Sequence, residues 1–194
     1  MIFTGKRLRL VIYAFLISLI LTAGAAEALA IKGADFADKV TVSGKKLLLN
    51  GAGIKKKFFF SIYACAFYLP QPTTDPVKAV SDDVCKQVIM HCLHSKIKSE
   101  KIIKGWNDGF FNNSQEKMNE LSQRIATFNS FFNQDMLENE RITLSYTPGQ
   151  GTSVTIKKKL RGTIPGKDFM QALLAIWLGN NPVDNDLKND MLGK

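Results

Sequence analysis

The sequence predicts an α+β fold, an antiparallel sheet with helices gathered on one of its faces. Three observations carry that expectation. Strand-like runs fall in two groups, residues 39–94 and 141–164, with two amphipathic helical patterns between them. The run from Phe58 to Leu69 is apolar on both faces, as a central, covered strand would be. A third long helical pattern follows the last strand. No repeat, low-complexity tract or linker interrupts this order, so a single domain is expected.

The elements follow in chain order. Residues 1–30 read as a secretory signal. Lys6, Arg7 and Arg9 form a basic start, Leu10 to Thr22 is an almost uncharged run, and Ala28-Leu29-Ala30 closes it with an A-x-A site. The apolar run falls short of the roughly 20 residues a spanning helix needs. The rival reading is an uncleaved anchor; the A-x-A site favours cleavage before Ile31. The working domain is then 31–194, exported, and periplasmic or secreted.

Residues 39–50 read as a hairpin around Ser43-Gly44-Lys45, and Gly51-Ala52-Gly53 is expected to break the run. The central strand at 58–69 is halted by Pro70 and Pro72. Thr74-Asp75-Pro76 starts a short helix, with Pro suited to the first turn. Lys86 to His94 is another strand. Ser99 is the expected cap of a helix whose apolar stripe is Ile102, Ile103, Trp106 and Phe110. Met118, Leu121, Ile125, Phe128 and Phe132 step by three or four residues, the buried face of a second helix. Strands at 141–146 and 152–158 flank Pro148-Gly149-Gln150-Gly151, and 160–164 extends the sheet. Lys167 to Leu178 is the third helix, ending at Gly179, and a short helix is expected between Pro182 and Leu192.

The formal net charge is +9, and the chain stays basic once the signal is removed. A basic balance invites a nucleic-acid reading, but export argues against it. Acidic ligands and contact with an anionic membrane surface fit better. The three cysteines, Cys65, Cys85 and Cys92, are too few for a disulfide framework. Cys65 and Cys92 read as small buried hydrophobes, with one disulfide open in an oxidising compartment.

The usual catalytic signatures are absent: no G-x-S-x-G, no phosphate-cradling glycine loop, no H-E-x-x-H and no paired C-x-x-C. The two histidines are His91 and His94. Alternation puts His94 on one strand face with Cys92 and His91 on the other, so no metal site is expected. No cofactor is implied. The thirteen phenylalanines can line a cleft as well as build a core.

Two stretches carry a resemblance. Leu49-Asn50-Gly51-Ala52-Gly53-Ile54-Lys55 runs through Lys57-Phe58-Phe59-Phe60-Ser61-Ile62-Tyr63 to Phe67-Tyr68-Leu69-Pro70. Gly162-Thr163-Ile164-Pro165-Gly166-Lys167-Asp168-Phe169 precedes Ala175-Ile176-Trp177-Leu178-Gly179 and Asn181-Pro182-Val183, with Trp106 to Asn113 between the two stretches. Together they resemble bacterial chalcone isomerase-like proteins, along nearly all of residues 31–194. The resemblance implies an open-faced β-sandwich, with a ligand cleft between a large sheet and a helical layer. In the enzymes of that family an Arg, a Thr, a Tyr, an Asn and a Ser or Thr close a chalcone ring. Non-catalytic members hold fatty acids, with an Arg and a Tyr at the carboxylate.

Carried onto this chain, the Arg position falls on Lys55, which keeps the charge without the bidentate fork. The Thr falls on Tyr63, the residue type of the fatty-acid-binding members. The catalytic Tyr falls on Trp106, the Asn on Asn113, and the late Ser or Thr on Ile176. The resemblance therefore implies a non-catalytic binder of a fatty acid or similar apolar acid, with Lys55, Tyr63, Trp106 and Asn113 as candidate ligand-binding residues. An isomerase acting on a chalcone or related enone is the alternative, and a structural partner protein without a small ligand is the second. Each candidate also has a plainer role: Trp106 as core, Lys55 in a solvated lysine turn, Tyr63 bonded locally. On one straight strand Lys55 and Tyr63 would lie ~26 Å apart. They share a site only if the chain turns around Lys55 to Lys57.

Overall fold

The computed structural model describes residues 28–194. The expected signal lies outside the described residues except for its last three. The sheet has seven strands: β3 (Lys39–Val42), β4 (Lys45–Lys57), β5 (Phe60–Leu69), β6 (Lys86–Cys92), β9 (Arg141–Thr147), β10 (Gly151–Ile156) and β11 (Lys159–Ile164). They run β11-β10-β9-β6-β5-β4-β3, every neighbouring pair antiparallel. This is the α+β arrangement expected. The sheet curls, so that Ser43, in the β3–β4 turn, brings its hydroxyl within 2.9 Å of that of Thr147 at the end of β9.

Both faces of β5 are covered, as its composition predicts. Cys65, Phe67 and Leu69 face the main core, while Ala64, Ala66 and Tyr68 face a second, smaller one. The second core is closed by a hairpin of β1 (Ala28–Ile31) and β2 (Ala34–Ala37), which buries Ala34 and Phe36. Sequence reading missed this hairpin, because most of β1 falls inside the expected signal. Cleavage before Ile31 would remove only exposed residues of β1.

Helices pack on the main-core face. α1 (Pro76–Ser81) is capped by the Asp75 carboxylate. α2 (Ser99–Ser114), α3 (Met118–Ser130) and α4 (Lys167–Leu178) form the layer, and α5 (Asn185–Met191) seats against β4. Rings of Trp106, Phe110, Phe128, Phe132, Phe169 and Trp177 interlock between them, mostly edge to face. Arg124 of α3 bonds both carboxylate oxygens of Asp168 and the Pro165 carbonyl, which pins the start of α4. Among the described residues no helix is long and apolar enough to cross a membrane.

Three expectations need correction. Gly51 to Gly53 do not end β4: a Cβ on Gly51 would sit 2.1 Å from the Asp190 carbonyl oxygen, so the glycines let α5 lie directly on the strand. Ser99 does not cap α2. Its own N–H is taken by the Asp135 carboxylate, 2.9 Å away, beside the two-residue ladder of β7 (Lys96–Ile97) and β8 (Met136–Leu137). Phe58 and Phe59 belong to a two-residue turn rather than to the strand. The cysteines are buried and free.

Candidate functional site: a cleft between sheet and helices

The β4–β5 turn places Lys55 directly opposite Tyr63 in the ladder. Directly opposed residues share a face, with Cβ atoms ~5 Å apart. The turn comes at Phe58-Phe59, just past the lysine run. Beyond Tyr63 the register shifts, leaving Ile62 without a partner on β4. Its carbonyl instead accepts the N–H groups of Leu93 and His94. Through this bulge the consecutive residues Ile62 and Tyr63 both border one cavity.

That cavity is a cleft of about 610 Å³ between the sheet and α2, within the range of about 300–1,000 Å³ usual for small-molecule sites. Met90, Ile142 and Ile176 are among its apolar walls, and Ile102, Gly105 and Trp106 form its helical side. Among the described residues, Lys55, Lys57, Lys96, Lys98 and Lys101 also border it, against a single carboxylate, Asp108. Among the described residues Lys57, Lys98 and Lys101 have no ion-pair partner; Lys96 pairs with Asp135 and Asp108 with Lys104. The cleft is therefore apolar within and basic at its border.

Tyr63 is held by Trp177 of α4, whose indole N–H donates to the phenol oxygen at 3.2 Å. Burial is the main cause that pushes the Tyr63 phenol above its usual range. It stays protonated, and among the described residues its own O–H has no acceptor. Lys55 is more committed. Its ammonium donates to the Val183 carbonyl at 2.6 Å and to Asp184 at 3.3 Å, leaving one of three N–H groups. Partial burial opposes ionisation of Asp184, yet the Leu187 N–H and the Lys55 ammonium hold its carboxyl below the usual range. Lys55 thus joins β4 to the cap of α5 as well as bordering the cleft.

Trp106 is both core and wall. It is 4% exposed and packs on Phe128, Phe132 and Trp177, yet it borders the cleft. Its indole N–H is buried and has no acceptor among the described residues. Asn113 is not brought to the cleft. Its amide donates to the Gly109 and Asn181 carbonyls and accepts from the Asn181 N–H, tying α2 to the loop after α4. The expected ligand role of Asn113 therefore has no support in this geometry. His94 borders the cleft and His91 lies on the opposite face against Arg141 and Asn139. Among the described residues no cluster of three metal-ligating side chains occurs.

The sequence reading missed Trp177 as the support of Tyr63, and Lys98 and Lys101 as border charges. Trp177 lies within the Ala175 to Gly179 motif; Lys98 stands just before α2 and Lys101 in its first turn, but no local pattern says that they overhang a cleft.

Residues 28–193 match the family model described as chalcone isomerase-like. No curated protein is significantly similar to the chain. Among solved structures, the chain is similar to a fatty-acid binding protein of Arabidopsis thaliana. The TM-score is 0.68 at 16% identity, covering 86% of this chain and 96% of that one.

Proposed function

The chain belongs to the chalcone isomerase-like family, and on that premise we propose that it is a non-catalytic binding module of the cell envelope, holding a fatty acid or similar apolar acid. The observation that carries the reading is the cleft itself: apolar walls, a protonated Tyr63 hydroxyl with no acceptor among the described residues, and lysines at the border. An apolar chain gains ~0.8 kcal/mol per buried CH₂. A carboxylate can accept from the phenol and from an ammonium. The Trp106 N–H supplies a further donor, and an unsatisfied buried donor costs about 1–3 kcal/mol, which an acceptor on the ligand would relieve. Against ring closure, Ile176 and Trp106 stand where the resemblance places hydroxyl groups, and a developing oxyanion needs donors aimed at it. The envelope location rests on the basic start, the apolar run and the A-x-A site.

Calorimetric titration of delipidated protein with a long-chain fatty acid and its methyl ester tests the reading. The acid should bind tighter than the ester. Tyr63→Phe should weaken the acid about tenfold, one hydrogen bond to a charged group. Tyr63 is a cleaner probe than Lys55, which also holds Val183 and Asp184. Equal affinity for acid and ester would remove the head-group role. No binding of either would favour the partner-protein alternative.

A further inference from the structure

The β4–β5 turn does something the cleft does not require. Phe58, Phe59 and Phe60 are 85%, 99% and 64% exposed, and no other large apolar side chains are so exposed side by side along the chain among the described residues. Exposed apolar patches of this kind mark contact surfaces. Phe58 also sits at φ 54°, a left-handed conformation that a tight hairpin turn usually gives to Gly, Asn or Asp. Turn geometry therefore does not explain the phenylalanines. Three lysines, Lys55 to Lys57, lead into the tip. Lys32, on the β1–β2 turn, donates to Ser61 at 3.0 Å and adds charge beside it. Lys57 also borders the cleft, together with Lys98 and Lys101. Glu138 lies near Phe59 and Phe60, while Asp184 and Asp135 are engaged with Lys55 and Lys96.

We infer that this tip is a membrane-docking wedge, with the three phenylalanines entering the interface of an anionic bilayer and the surrounding lysines facing its headgroups. A protruding aromatic turn beside Lys32, Lys56 and Lys57, which among the described residues have no ion-pair partner, fits a soft, negatively charged surface, which supplies apolar depth and negative charge together. Lys57 belongs both to the ring around the tip and to the cleft border. Docking would therefore bring the cleft mouth to the bilayer surface. The inference stands whatever the cleft holds.

The test places an indole at the tip by Phe59→Trp in the full chain. The native Trp106 and Trp177 are 4% and 0% exposed, and the emission of the unsubstituted protein with the same vesicles is subtracted as background. Vesicles rich in phosphatidylglycerol should shift the added emission to the blue, and brominated lipid should quench it. Pure phosphatidylcholine should do so far less. Adding Lys56→Glu and Lys57→Glu should weaken the response to anionic vesicles by at least about tenfold. The lysine reversals leave the apolar run near the N-terminus unchanged, so a response that they weaken does not come from that run alone. Emission unmoved by vesicles, or moved equally by neutral ones, would overturn the inference. So would a blue shift that grows with protein concentration without lipid, which would assign the tip to a second copy of the chain. No fatty acid is present here and no vesicle in the calorimetry, so the two readings fail separately.

Discussion

Lys86, at the start of β6, is 1% exposed, an unusual place for an ammonium. It donates to the Ala79 and Val80 carbonyls at 2.6 and 3.0 Å, among the last carbonyls of α1. Burial is the main cause that lowers its pKa to about 8. The folded state thus releases this proton before the unfolded chain does, near 10.5. The unfolded state binds more protons in that interval, so this group's contribution rises with pH between about 8 and 10.5. The neutral amine still has two N–H groups for the two carbonyls. Denaturant titrations of wild type and Lys86→Met at pH 7.5 and 9.5 should therefore show wild type gaining stability relative to the variant. Comparison with the variant cancels Cys65 and Cys92, whose thiols burial pushes up and which act in the opposite sense. A constant difference would mean that Lys86 titrates normally. Nothing in the sequence marks this lysine, since Lys86 opens a strand as any surface lysine might. Tyr63 was legible through resemblance alone, and its partner Trp177 only through tertiary packing.

At the scale of elements, α2 sets the width of the cleft, and its two glycines have opposite roles. Among the described residues a Cβ on Gly105 would meet nothing within 4 Å, whereas one on Gly109 would sit 2.7 Å from Ile176 Cγ2. Gly109 lets α2 and α4 approach closely; Gly105 leaves room beside Trp106. Gly105→Ala should stabilise the protein by about 0.5–1 kcal/mol through helix propensity. Gly109→Ala should destabilise it by about 1–3 kcal/mol through overpacking. Urea denaturation checks both, and a shift of the same sign in each would contradict this seating of α2. Helices with strong apolar periodicity, such as α3 and α4, were legible in the sequence. The break expected at Gly51 was not observed, because glycine marks a turn and a close approach alike, and only the docked α5 tells them apart. The capping of α2 by Asp135 comes from 36 residues away, beyond any local pattern.

For the whole molecule, the order of strands and helices was enough to predict an α+β sheet covered by helices, because alternation and helical stripes are properties of short segments. The curl of the sheet and the bulge at Ile62 were not visible, since both arise from pairing between strands. They decide that Lys55, Tyr63 and Trp106 border one cleft while Asn113 stays outside it. The proposed function requires this cleft to take an apolar acid with its carboxylate at Tyr63. Anomalous diffraction from crystals grown with a fatty acid brominated at its terminal carbon would locate both ends of the ligand. One bromine peak is expected among the apolar walls at Met90, Ile142 and Ile176, with the carboxylate within hydrogen-bond distance of the Tyr63 hydroxyl. Bromine outside the cleft, or a carboxylate buried among those walls with bromine at Tyr63, would rule out this binding mode.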